Sequence, residues 1–194
     1  MLELTKSLKE KCQKLGLRYV PGSGSPSSKL WICGEAPGEE ECKALTVFIG
    51  KSGSFLNSCL SLSSILRSNV FITNVCPIWP PDSKILRISE LGINWPECVK
   101  SLNEQVEFFS PNVILALGAA ALDALTSRGG IREWRGHILS CGKTKVIGSF
   151  HPAYILRIGD KTAKKERENI GGIKYTYGTA RMVFLLDLER AKEE

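Results

Sequence analysis

Apolar residues recur along the chain with helical and strand-like spacing in turn. Leu4, Leu8, Cys12 and Leu15 share one face, which predicts an amphipathic helix over residues 3–15. The stretch Pro21-Gly22-Ser23-Gly24-Ser25-Pro26-Ser27-Ser28 reads as a loop. Lys29-Leu30-Trp31-Ile32-Cys33 is a short apolar run that stops at Gly34, a buried strand ending in a turn. Phe55, Leu56, Cys59, Leu60 and Leu66 mark a helix over 52–66, and Asn69 to Val75 a second strand. A proline-rich loop follows through Pro77, Pro80 and Pro81. Pro96 opens the next helix, where its missing N–H costs nothing in the first turn. Val99, Leu102, Val106 and Phe109 supply that helix with an apolar face. Val113 to Leu117 is a third strand, and Gly118 begins a small-residue helix to Leu125. Lys145 to Gly148 is a fourth strand, running into Ser149-Phe150-His151, and Gly178 to Ala191 forms a closing helix.

Strands alternating with helices imply an α/β layered fold with a mostly parallel sheet. In such folds ligands bind beyond the carboxyl ends of the strands. Gly34-Glu35, Asn74 and His151 all fall at such ends, which points to one shared site. The 194 residues suit one domain over 1–194 with a sizeable core.

Charge changes this picture modestly. The formal net charge of +6 favours a polyanionic partner, because lysine and arginine release counterions from a phosphate backbone. Many basic proteins bind no nucleic acid, so charge alone decides little. No apolar stretch is long enough to span a bilayer, and the N-terminus has no secretory pattern. The expected location is intracellular: cytoplasmic or nucleoid-associated, or nuclear in a eukaryote. The seven cysteines are scattered, odd in number and free of any C-x2-C pair, which argues against a disulfide framework. Two histidines without ligand spacing argue against metal-dependent hydrolysis.

Four segments carry candidate chemistry, each with a structural alternative. Gly34-Glu35-Ala36-Pro37-Gly38-Glu39-Glu40-Glu41 makes a tight turn that lets backbone approach a ligand, or a helix N-terminus with acids facing its dipole. Phe48 could stack on a planar base or fill the core. Asn74 could read a base edge with its amide or serve as a turn residue. His151 could hold negative charge developing on a leaving group, or be a satisfied loop histidine. His137 has no comparable setting. Gly50-Lys51-Ser52 is not a phosphate-binding loop, since the first glycine of that motif would fall at Leu45.

Taken in register, these segments resemble the uracil-DNA glycosylase superfamily, in its family 4 form. Gly34 to Gly38, Val47 to Gly53, Ile72 to Val75, Leu117-Gly118 and His151 to Arg157 are similar to its motifs, in order, and Ile131 to Gly136 fits as well. The resemblance implies a three-layer αβα sandwich with a four-stranded parallel central sheet. It implies a monofunctional DNA repair glycosylase that flips uracil out of DNA, hydrolyses its N-glycosidic bond and leaves an abasic site. Glu35 would position or polarise water, with Glu41 a second acidic candidate. Ala36, Phe48, Asn74 and His151 would hold uracil, and His151 would steady its anion. Lys51, Ser52, Gly53, Pro152, Ala153, Tyr154 and Arg157 would contact DNA. The partner would be uracil-containing DNA, with no membrane, and the enzyme a monomer. No lysine is placed as a Schiff-base nucleophile, so strand cleavage is not expected.

The chain also departs from that pattern. The family holds a [4Fe-4S] cluster on four cysteines: two near the N-terminus, one after the I-T-N-V strand, one opening the next helix. Cys98 matches the last and Cys12 one of the first pair, while Cys76 is displaced and Ile78 takes the expected place. The ligand set Cys12, Cys76 and Cys98 is therefore incomplete, and the chemistry requires no cofactor. Packing around Trp79, Trp95 and Ile93 could replace the cluster's structural role. Asp82-Ser83-Lys84 replaces an asparagine-arginine pair, Val47 replaces a proline, and lysine-rich residues 159–177 read as a solvated loop rather than a DNA-binding arm. A non-catalytic or covalently trapping uracil-DNA binder on the same fold is the alternative function, although the insertion that carries a trapping histidine is absent between Asn74 and Cys98.

Overall fold

A computed structural model describes residues 2–159, 169–170, 173–174 and 177–194. Five strands form the main sheet: β1 (Leu30–Gly34), β2 (Val70–Asn74), β3 (Val113–Leu117), β4 (Ile138–Cys141) and β5 (Thr144–Ser149). Their spatial order is β2-β1-β3-β5-β4. The first four in that order run parallel, and β4 pairs antiparallel with β5. The sheet is thus five-stranded, not four-stranded. The extra strand is a short edge strand joined to β5 by a tight turn at Gly142 (φ 58°); its four residues, Ile138 to Cys141, are too few to set up a readable period.

Eight helices surround the sheet among the described residues: α1 (Glu3–Lys14), α2 (Glu39–Ala44), α3 (Lys51–Leu62), α4 (Trp95–Phe109), α5 (Ala119–Thr126), α6 (Ile131–Trp134), α7 (Pro152–Gly159) and α8 (Tyr177–Glu193). None is long and apolar enough to cross a membrane. The helix expected over 52–66 stops at Leu62, where Ser63 and then Ser64, in left-handed backbone, turn the chain. Of the lysine-rich segment, residues 160–168 lie outside the described residues, while Asn169–Ile170 pairs antiparallel with Ile173–Lys174.

Strand alternation divides the core into two. Ile32, Ile72, Leu115 and Ile147 point to one face and pack with α3, α7 and α8. Trp31, Phe71, Ile114 and Val146 point to the other and pack with α1, α4 and α5. Strands β2 and β3 are buried throughout: β3 as an inner strand covered on both faces, and β2, at the sheet edge, with Ser23 of the loop before β1 paired to its Ile72. The result is a helix–sheet–helix sandwich. The chain runs from β1 outward to β2 and then returns to place β3 on the other side of β1. That reversal opens a crevice at the carboxyl ends of β1 and β3.

Candidate active site

A cleft of about 840 Å³ occupies that crevice. Its walls come from the turn after β1, the start of α3, the turn after β3, α6 and the start of α7. Glu35, Ala36, Glu41, Phe48, Lys51, Ser52, His151, Ala153, Tyr154 and Arg157 all line it, so most residues singled out in the sequence converge on one space. Gly118, Phe150 and Arg132 also line it. Single-residue reasoning did not single these out, although the Leu117-Gly118 and Ile131–Gly136 motifs contain two of them.

Glu35 is the first residue beyond β1. Its backbone carbonyl accepts from Cys76 N at 2.9 Å, extending the β1–β2 pairing past the strand end. Burial raises its carboxyl pKa above the ordinary value. Glu41 is placed differently. Its Oε2 accepts from Gly38 N at 2.8 Å and its Oε1 from Ile49 N at 3.3 Å. Both oxygens are thus engaged with backbone, tying the Glu35 turn to the loop that carries Phe48.

Phe48 itself has φ 54°, a left-handed conformation rare for a bulky residue. Three features hold it there besides Glu41. Arg67 Nη2 donates to the Val47 carbonyl at 2.9 Å. Gly53 leaves room for the Phe48 carbonyl, which a Cβ on Gly53 would meet at 1.9 Å. Gly34 leaves room for the ring: a Cβ there would lie 2.8 Å from Phe48 Cζ and 2.4 Å from Asn74 Oδ1. Gly53 is buried and acts through this close approach, and Pro152 is buried at the head of α7; neither lines the cleft.

Asn74 ends β2 directly beside Gly34. It is 7% exposed, and its side-chain Oδ1 and Nδ2 are buried without a hydrogen-bond partner. An unpaired buried amide costs about 1–3 kcal/mol, so its retention calls for a functional explanation. It is not among the cleft-lining residues, but its Oδ1 and the ring of Phe48, which does line the cleft, both approach Gly34 closely.

His151 follows β5 and precedes α7. Its ring centre lies 5.9 Å from that of Phe48 with the planes 32° apart. Burial, helped by Arg157, lowers its pKa to about 4, so the imidazole is neutral at neutral pH. Ala153 N donates to His151 Nδ1 at 3.1 Å. Nδ1 is therefore the acceptor and Nε2 carries the proton. His137, by contrast, is exposed and packs its ring against Trp134.

No cysteine is among the residues that line this cleft. Cys12, Cys76 and Cys98 gather with Ile78 and Ile93 in the core on the α1–α4 face, all fully buried. Burial pushes the Cys12 thiol up to about 11, so it stays protonated. The neighbouring Cys76 and burial drive the Cys98 thiol far upward, and Cys76 donates to the Ile78 carbonyl at 3.4 Å. An iron–sulfur cubane needs four thiolates held on separate iron corners. Here two thiols touch each other, Leu15 stands three residues after Cys12, and Ile78 fills the core. Cys33 neighbours Cys141, while Cys42 and Cys59 belong to the opposite core. These residues do not fit such a cluster; they pack as small apolar side chains.

A mostly parallel α/β sandwich with a carboxylate and a neutral histidine lining a switch-point cleft, and a buried unpartnered amide nearby, has the layout of an enzyme's active site. Residues 21–170 match the uracil DNA glycosylase superfamily, and the chain belongs to it. Type-4 uracil-DNA glycosylase of Thermotoga maritima is 34% identical over 165 residues, covering 81% of this chain and 84% of the relative. The proteins of the same name from Pyrobaculum aerophilum and Archaeoglobus fulgidus are 33% and 31% identical, over 76% and 75% of this chain and 79% and 78% of their own.

Proposed function

We propose that this protein is a DNA repair enzyme that hydrolyses the N-glycosidic bond between uracil and deoxyribose, and that its cleft receives a uracil turned out of the DNA stack. The observation that carries the reading is the buried, unpartnered Asn74 amide close to Gly34, which the Phe48 ring also approaches, with His151 next to that ring. A buried, unpartnered amide offers a donor and an acceptor to the pairing edge of a base, and Phe48 offers a face on which to stack it. The base must leave the duplex to reach them, at a cost of a few kcal/mol that is least at a mismatch.

The chemistry follows from charge. When C1′–N1 breaks, its electron pair leaves with uracil, and the sugar becomes electron-poor. His151 Nε2–H is aimed by the Ala153 hydrogen bond and donates to the uracil oxygen where negative charge collects. A neutral imidazole gives this hydrogen bond without first having to lose a charge. Glu35 lines the cleft; as a carboxylate it stabilises the electron-poor sugar and accepts a proton from the water that adds to C1′. Lys51, Ser52, Tyr154 and Arg157 at the rim suit flanking phosphates. Glu41 positions the Phe48 loop rather than the water.

The trapping alternative requires a histidine able to reach the sugar, and the chain's only other histidine, His137, is set against Trp134. The test is incubation with a uracil-containing duplex. Free uracil and strand breaks that form only on alkali treatment are expected. Tight binding without uracil release would overturn the reading.

A further inference from the structure

A buried carboxylate that this chemistry does not use lies directly behind the site. Asp187, on α8, is 3% exposed. Its Oδ2 accepts from Ser149 Oγ at 2.7 Å, and its Oδ1 from Arg135 Nη2 at 2.8 Å, with Arg135 Nε 3.3 Å from Oδ2. The three residues come from α8, the last position of β5, and the turn between α6 and β4.

Each partner leads into the cleft. Ser149 is joined through Phe150 to His151, and its carbonyl accepts from Gly118 N at 2.9 Å. Gly118 in turn packs on His151: a Cβ there would lie 3.3 Å from His151 Cβ. The Arg135 guanidinium carbon stands 5.8 Å from the centre of the Phe150 ring, which lines the cleft and lies 5.3 Å from the Tyr154 ring. Gly136, at φ 71°, closes the turn over the carboxylate, and a Cβ there would come within 3.1 Å of Asp187 Oδ1. Arg190, one turn further along α8, donates to the Gly136 carbonyl at 2.5 Å.

A buried ion pair is a weak source of stability, because removing two charges from water costs about as much as their attraction returns. Its two oxygens do, however, fix two segments in direction as well as distance. We propose that Asp187, through Ser149 and Arg135, positions His151 and the Phe150 floor, so that the His151 Nε2–H meets the leaving uracil. The inference rests on the glycosylase reading above. Asp187 does not touch substrate; it acts through His151.

The test is a cycle of single-turnover uracil release by wild type, Asp187→Ala, His151→Ala and the double variant, with Tm measured for each. Asp187→Ala is expected to slow release roughly tenfold to a hundredfold, the effect of a small misplacement of a reacting group. In the His151→Ala background the same change should alter the rate less than about threefold, while the fall in Tm stays the same in both backgrounds. Ser149→Ala removes one hydrogen bond and should repeat the pattern at smaller scale, which keeps the test available if Asp187→Ala does not fold. Equal slowing in both backgrounds would show that Asp187 serves the fold alone. A wild type that releases no uracil would instead sink the glycosylase reading, and the positioning role with it.

Discussion

At the scale of single residues, the site is built as much by absent side chains as by present ones. Gly34 leaves room at the end of β1 for both the Phe48 ring and the Asn74 amide to approach it closely. Gly34→Ala is expected to push one or both aside, cutting uracil release at least about tenfold and costing about 1–3 kcal/mol of stability by overpacking. Gly129→Ala, where a Cβ meets nothing within 4 Å, is the control, and it should leave rate and Tm unchanged. A Gly34→Ala enzyme with wild-type rate would show that this contact is not used. The residue types at strand ends were legible in the sequence: Glu35, Asn74 and His151 could be placed near one another from the alternation of strands and helices alone. What was not legible is role. Glu41 looks like a catalytic acid in one dimension. Only the fold shows that both its oxygens are spent on the backbone of Gly38 and Ile49. Asp187 gave no signal at all, because its partners lie 38 and 52 positions away in the chain.

At the scale of elements, the loop from Val47 to Gly50 is held in shape by residues from outside it. A phenylalanine with φ 54° will not hold that conformation unaided, and Glu41, Arg67 and Gly53 supply the restraint. Glu41→Ala is expected to weaken uracil-DNA binding, raising KM several-fold with a smaller change in kcat, and to speed hydrogen exchange at the Ile49 amide. A loss of kcat with KM unchanged and Ile49 still protected would return Glu41 to the reacting centre. The parallel strands were legible because β1, β2, β3 and β5 are apolar runs bounded by turn residues. The edge strand β4 was not, since Ile138 to Cys141 is only four residues long and too short for a periodic signal. The thiol core is a similar case. The displaced Cys76 could be read from the sequence, but its contact with Cys98 depends on how α4 packs over β2.

At the scale of the whole molecule, the site's electrostatics feed back on folding. His151 has its pKa lowered to about 4 by burial, against an ordinary value of 6.5. Between those values the unfolded chain binds a proton that the folded chain refuses, so stability falls as pH drops through that window. The stability of wild type minus that of His151→Gln should decline on acidification from pH 6.5 toward 4, a difference in which other carboxylates largely cancel. A flat difference would mean that the histidine is already hydrated. Glu35 acts in the opposite sense. Its raised pKa favours the protonated acid, so activity that needs its carboxylate should rise with pH through a midpoint above 4.5. The net charge of +6 gives the protein a general attraction for DNA that carries no information about the base.

The most direct measurement is single-turnover release of uracil from duplex DNA by wild type, Glu35→Gln and His151→Ala at neutral pH. Release by wild type is expected to fall at least about a hundredfold in each variant, with DNA binding retained, as loss of transition-state stabilisation requires. Wild-type rates in both variants would contradict the assignment of this cleft as the reacting centre.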